Sequence, residues 1–429
     1  MFIHIVRQGE TFASIAENYG IPTARLIAEN GAATLQNPVV GQALLILQAA
    51  AVHTVLPGET LYSIAQSYGI TLVEILQRNP DLILNPTVYP GQQIVIIFAE
   101  QGHKPLEIYG YTYPFVAAEI TKKQLPYLTA CAIFSYGFRS DGSLIEIDDQ
   151  SLINQCDFYQ TAPVFLLSSI DESGGFSSAK AKELFNNLPL QNTVIDNMIN
   201  TMLLKGYTGV DIDFEYVNAE DKGAFVNFIY NVAEKMHRRG FTVNVDLAPK
   251  TSAEQKGLLY EGHDYKAIGE IADTVLLMTY EWGYAYGPPM AVAPLPRVEQ
   301  VVRYAVSEIP PEKIYMGIPN YGYDWRLPYR QGERAYSIGN EEALQIAAAN
   351  NAVIQYDETA QSPYFEYTAE TDYTNHIVWF EDIRSIQAKY GLIDKYGLRG
   401  GGYWNLRRSF MQGMIYPAYQ YDIKKNVPR

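Results

Sequence analysis

Thr208-Gly209-Val210-Asp211-Ile212-Asp213-Phe214-Glu215 places three carboxylates at alternate positions of an otherwise apolar run. In a β-strand successive side chains point to opposite faces, so Asp211, Asp213 and Glu215 project together while Val210, Ile212 and Phe214 project the other way. One face is acidic and the other apolar. Like charges this close repel, and any that lose water destabilise the fold unless they are neutralised or hydrogen-bonded. A strand that served only the fold would gain nothing from such a face, so the trio is read as a functional site.

Outward from this strand, apolar runs at 108–113, 127–136, 164–170, 209–216, 242–247, 274–280, 314–319 and 401–404 make eight candidate strands. Helical spacing fills the gaps. Phe225, Phe228, Ile229, Val232 and Met236 recur with the helical period, as do Val298, Val301, Val302, Ala305 and Ile309. Strands alternating with helices over residues 104–429 predict an α/β domain, a (β/α)8 barrel with a small α+β insertion at about 326–376. Such a barrel carries its site at the C-terminal ends of the strands, which puts Glu215, followed by a loop, at the mouth. Gly400-Gly401-Gly402 fits no phosphate loop and is read as a place where a strand packs tightly.

The first hundred residues contain a repeat. Residues 4–21 (HIVRQGETFASIAENYGI) and 53–70 (HTVLPGETLYSIAQSYGI) agree at eleven of eighteen positions, 49 residues apart. Each copy reads strand, helix, helix, strand, with Thr11 and Thr60 as helix N-caps after a Gly-Glu turn. Both copies, 1–48 and 51–98, resemble the LysM module, a βααβ unit that binds N-acetylglucosamine glycans such as peptidoglycan and chitin. The resemblance implies a sugar groove between Gly9, Glu10, Thr11 and Phe12 and the loop at Asn30. In the second copy it lies between Gly58, Glu59, Thr60 and Leu61 and the loop at Asn79, Leu82 and Ile83. Two modules joined by a short linker suggest avidity along a polymer.

A formal charge of −15 and a pI near 4.9 argue against nucleic-acid or anionic-membrane partners, which need clustered Lys and Arg. The 34 Tyr, 17 Phe and 4 Trp suit clefts for ligands with apolar faces and hydroxyls, as sugars have. Cys131 and Cys156 are too few for a disulfide framework and are expected to be free thiols. The opening Met1-Phe2-Ile3-His4-Ile5-Val6 shows no secretory signal, and no apolar stretch reaches the length of a bilayer span. The six His are scattered, so neither metal nor other cofactor is expected, and the protein is expected to be a monomer.

The segment 208–215 is similar to the signature of glycoside hydrolase family 18, Asp-Gly-x-Asp-x-Asp-x-Glu, with Thr208 in place of the first Asp. Three further stretches strengthen the resemblance. Met278-Thr279-Tyr280-Glu281 resembles the Met-x-Tyr-Asp element of strand six, with Glu for Asp. Gly317-Ile318-Pro319-Asn320-Tyr321-Gly322 resembles the strand-seven element, and Trp404 stands where the family's strand-eight Trp floors the sugar site. Ser169 with Gly174-Gly175 resembles a stretched third-strand Ser-x-Gly-Gly. The resemblance implies a retaining, substrate-assisted N-acetylglucosaminidase in which the substrate's own 2-acetamido oxygen attacks. Glu215 would be the general acid/base, its pKa raised by Asp213 and Asp211. Asp213 would orient the acetamido nitrogen, Tyr280 would bond its oxygen, and Asp211 would hold Asp213. Tyr111, Tyr136, Trp282, Asn320 and Tyr321 are further candidates for the cleft. Thr208 is expected to hydrogen-bond Asp211. Two LysM-like units before this barrel resemble spore cortex-lytic enzymes, which implies cortex peptidoglycan as partner and a location in the spore. The alternatives are a chitinase and a non-hydrolytic lectin on the same barrel.

Overall fold

The computed structural model describes residues 1–170, 175–371 and 373–425. Eight parallel strands run in barrel order: β1 (Pro105–Thr112), β2 (Ala130–Phe138), β3 (Ala162–Ser168), β4 (Gly209–Asp213), β5 (Thr242–Leu247), β6 (Thr274–Leu277), β7 (Ile314–Pro319) and β8 (Gly400–Trp404). Each pairs with the next, and β8 returns to β1 with Gly401 opposite Ile108, so no edge is left open. The sheet is a TIM barrel. Alternation sorts its side chains: Val210, Ile212 and Phe214 join the outer core under the helices, while Tyr109, Tyr111, Ala132, Leu166 and Tyr315 fill the interior.

The helices form where the apolar period required them. Lys222–His237 buries Phe225, Phe228, Ile229, Val232 and Met236, and Leu295–Glu308 buries Val298, Val301, Val302 and Ala305. Each such side chain larger than Ala contributes roughly 1.5–3 kcal/mol against exposure. Strand β8 begins with glycines because there is no room for more. A Cβ on Gly400 would lie 1.7 Å from the Glu107 carbonyl oxygen, and one on Gly402 would lie 2.1 Å from Leu276 Cδ1 inside the barrel.

Two strands stop well before the ends of their apolar runs. β4 ends at Asp213 and β6 at Leu277, so Glu215 and Tyr280 stand on loops at the mouth. Past Asp213 the chain leaves the ladder, and the Phe214 carbonyl meets the ring of buried His263 (Nε2 to O, 3.2 Å) instead of a neighbouring strand. Between β7 and β8 a five-stranded antiparallel sheet spans Gly322–Leu327, Tyr336–Ile338, Gln355–Asp357, Ser362–Thr368 and Asn375–Trp379. The helix Asn340–Ala349 accompanies it.

The two amino-terminal units repeat each other in detail. Strands Phe2–Ile5 and Ala43–Ile46 pair antiparallel, as do Ala49–Thr54 and Gln93–Phe98. Gly9 and Gly58 turn with φ of +85° and +87°, which a Cβ would disfavour. Thr11 and Thr60 then cap helices Phe12–Tyr19 and Leu61–Tyr68, each in a capping box with a Ser. Glu10 accepts from the Arg7 amide (2.7 Å) and contacts His4 (2.9 Å). Glu59 does the same with Leu56 (2.7 Å) and His53 (2.8 Å).

The reading of Asn30 and Asn79 as sugar contacts is corrected by their burial. Asn79 Nδ2 donates to the Ile75 and Val95 carbonyls and its Oδ1 accepts from the Val95 amide, locking helix to strand. Asn30 bonds the Leu26 and Leu45 backbone in the same way and also accepts from Gln412 of the barrel. The side chains of Phe12, Leu61, Leu82 and Ile83 are core, not groove. Only Gly9, Thr11, Gly58 and Thr60 of that set are exposed, with Glu10 and Glu59 half-buried. The first unit docks on the insertion through Val39, the Ile354 amide to the Val40 carbonyl (2.9 Å), and Gln345 to Thr34 (3.0 Å). Cys131 and Cys156 are free and buried. No helix among the described residues is long and apolar enough to cross a membrane.

Candidate active site

Strand β4 delivers Asp211 and Asp213 into the barrel, and the loop after it carries Glu215 to the rim. Asp211 is fully buried and held between barrel strands: Tyr109 of β1 donates to its Oδ2 (2.9 Å) and Asn244 of β5 to its Oδ1 (2.9 Å). Burial pushes its carboxyl up to about 6, against the lowering effect of those two donors. Asp213, one step nearer the mouth, is also buried, and its Oδ1 has no hydrogen-bond partner among the described residues. Burial first, then the Glu215 and Asp211 charges, hold it well above the usual carboxylate range.

Glu215 is half-buried, and its carboxyl is pushed up to about 7. Burial is the main cause and the charge of Glu281 the second; the mutual repulsion of Glu215 and Asp213 that the alternating spacing predicts is present too and falls on Asp213. Tyr280 reaches the same centre. Burial raises its hydroxyl pKa, as do the charges of Asp246, Asp213, Glu215 and Glu281.

Asp246 and Asn244 belong to this centre and escaped the sequence reading. Asp246 Oδ1 accepts from Tyr111 (2.6 Å) and from Asn244 Nδ2 (3.2 Å). Burial and the neighbouring Asp211 and Asp213 raise it well above the carboxylate norm. The signal was present: Thr242-Val243-Asn244-Val245-Asp246-Leu247 alternates as β4 does, and the register sets Asn244 opposite Asp211.

Trp404, at the end of β8, separates the two halves of an open cleft. On one side a cavity of about 710 Å³ is lined by Glu215, Tyr113, Phe115, Phe134 and Phe176. On the other a cavity of about 590 Å³ is lined by Glu281, Tyr321, Tyr323 and Arg407. Tyr111 packs edge-on to Trp404, with ring centroids 5.5 Å apart. Tyr321 and Tyr323 both donate to the Glu281 carboxylate, Tyr323 at 3.0 Å.

Three expectations are corrected. Tyr136 faces away from the cleft: a register shift after Ile133 turns it to the outer core, where it stacks on Phe165 and donates to Asp149 (2.5 Å). Thr208 donates to the Pro163 carbonyl (3.0 Å) and not to Asp211, whose partners come from β1 and β5. Trp282 packs half-buried against the apolar core and lines neither cavity. Asn320 does border the cleft, but its amide is spent on the Asn405 and Arg408 carbonyls (2.9 Å each). Ser169 is buried beside the mouth, and its proposed companion Gly174 lies outside the described residues.

A closed barrel whose fourth strand aims paired carboxyls at an aromatic-floored cleft defines a glycosidase of the TIM-barrel class. The chain belongs to glycosyl hydrolases family 18, whose model matches residues 107–408, and the LysM domain model matches 4–46 and 53–96. It is a glycoside hydrolase. The chain is 37% identical over 429 residues to the cortical fragment-lytic enzyme of Bacillus cereus, covering 98% of each. It is 39% identical over 312 residues to the enzyme of that name from Bacillus subtilis (strain 168), covering 72% of each. It superposes on the crystal structure of the Bacillus megaterium QM B1551 spore cortex-lytic enzyme SleL with a TM-score of 0.83 at 35% identity, covering 99% of each.

Proposed function

We propose that this protein hydrolyses the β-1,4 bond after N-acetylglucosamine in spore-cortex peptidoglycan, with retention and with the substrate's acetamido group as nucleophile. Glu215 gives its proton to the departing oxygen and afterwards takes one from water, which a carboxyl poised near 7 does well at neutral pH. Asp213, whose Oδ1 has no partner among the described residues, receives the acetamido N–H and stabilises the cation that forms as the ring closes. Tyr280 steadies the acetamido oxygen, and Asp211 fixes Asp213 from beneath. Trp404 offers its face to the sugar ring, with Tyr321 at the cleft wall.

The observation that carries this reading is the unpartnered Asp213 oxygen beside a raised Glu215 at the mouth of the barrel. The names of the relatives support the cortex as substrate. In this reading residues 1–48 and 51–98 hold the monomer to glycan strands, and 104–429 cut them, in the cortex or coat of the spore. Digestion of cortex fragments and of chitin side by side, with the products weighed by mass spectrometry, tests it. New reducing ends at N-acetylglucosamine from cortex are expected. New ends at muramic acid, or turnover of chitin alone, would sink it, and so would full activity of Glu215→Gln.

A further inference from the structure

The half of the cleft beside the insertion has a chemistry that cleavage does not use. Three guanidinium groups, Arg334, Arg407 and Arg408, line the 590 Å³ cavity, although the chain as a whole carries a charge of −15. Among the described residues none of the three makes an ion pair with a carboxylate, whereas most other arginines do.

Their roles differ. Arg408 is tied down, donating to Ser337 Oγ (3.1 Å) and to the Ser337 carbonyl (2.6 Å), and so staples the loop after β8 to the insertion. Asn320 anchors the same loop through the Asn405 and Arg408 carbonyls. Arg407 is exposed and rests over the rings of Tyr113 (5.6 Å) and Phe115 (5.4 Å), which orient the guanidinium and leave its N–H edge free. Arg334 is exposed on the insertion side. The acidic centre and this basic wall therefore face one groove from different elements.

We propose that Arg334 and Arg407 form a subsite for a carboxylate carried by the substrate next to the sugar that lies on Trp404, with Arg408 and Asn320 holding the wall in place. This rests on the proposed function and extends it: the wall selects acidic glycans over neutral chitin. In peptidoglycan the carboxylate has two sources, the lactyl ether of muramic acid and the stem peptide. A planar guanidinium matches either, since two parallel N–H donors face two oxygens.

The test uses the full-length protein and Arg334→Gln, Arg407→Gln, Arg407→Lys and the double Gln variant. Each is assayed on N-acetylglucosamine oligomers, on glycan strands stripped of peptide but retaining lactyl carboxylates, and on peptide-bearing strands. The readout is the ratio of kcat/KM on each acidic substrate to that on the neutral oligomer. Each Gln substitution is expected to lower that ratio about tenfold, the size of a charge-assisted hydrogen bond. Arg407→Lys is expected to restore part of it, and raising ionic strength to erode the parent's ratio. A loss on stripped strands assigns the lactyl group; a loss confined to peptide-bearing strands assigns the stem peptide. An unchanged ratio in the double variant, with the parent active on acidic strands, overturns the subsite alone. A parent that cuts no acidic strand overturns the proposed function beneath it.

Discussion

Glu215→Gln separates what the acid costs the fold from what it does for the reaction. The carboxyl moves from 4.5 to about 7 on folding, and at roughly 1.4 kcal/mol per pKa unit this is about 3 kcal/mol. The side chain keeps some contact with water, so about 2 kcal/mol is the working figure. A carboxyl whose folded value lies above its unfolded one binds its proton more tightly when folded. The penalty is therefore absent below pH 4.5, grows as pH rises from 4.5 to about 7, and is complete above that. Glutamine has nearly the same shape and never ionises. The variant should be about 2 kcal/mol more stable than the parent at pH 8, equal to it at pH 4.5, and inactive at both. Urea unfolding followed by near-ultraviolet circular dichroism at the two pH values reads the difference. A gain of the same size at both pH values, or no gain at pH 8, would refute the account of a buried acid forced to ionise.

The same acid should give kcat/KM on soluble fragments an alkaline limb near pH 7, and Glu281→Gln, by removing the neighbouring charge, should shift that limb to lower pH; a limb that stays put would sever the two residues. Tyr111→Phe removes the 2.6 Å donor to Asp246 and should cost about 1–3 kcal/mol in denaturant unfolding, with activity reduced through the loosened carboxyl cluster. Asn79→Ala strips three buried hydrogen bonds and should destabilise the second LysM unit by about 3 kcal/mol, seen as early proteolysis within residues 51–98 while the barrel stays intact. Lys389→Met leaves Glu381 buried without its 2.7 Å partner and should cost about 3–5 kcal/mol, most of it regained when Glu381→Leu is added.

The alternation of 208–215, the eight apolar runs and the 49-residue repeat could be read in one dimension because each follows from local geometry. A strand exposes every second residue and a helix every third or fourth, and neither rule needs a neighbour. Barrel, modules and the acidic face of β4 were therefore determined by the sequence alone. Tyr136 lies outside the cleft because a register shift after Ile133, set by pairing with β3, reverses the alternation that turns Ala132 and Phe134 into the barrel, and no local pattern announces such a shift. The LysM resemblance implies Asn30 and Asn79 as groove residues, and in sequence a polar residue in a loop is indistinguishable from one that closes a buried backbone network.

What only the tertiary structure decided lies between strands. Asp211 finds Tyr109 across a separation of 102 residues, Tyr111 finds Asp246 across 135, and the charge of Glu281, from the loop after β6, adds to the burial that lifts Glu215. The arginine wall likewise joins position 334 to 407 and 408 through a sheet inserted between β7 and β8. Hydrogen bonds and charges act through distances of a few ångströms, and closing the barrel is what brings residues so far apart along the chain within that range.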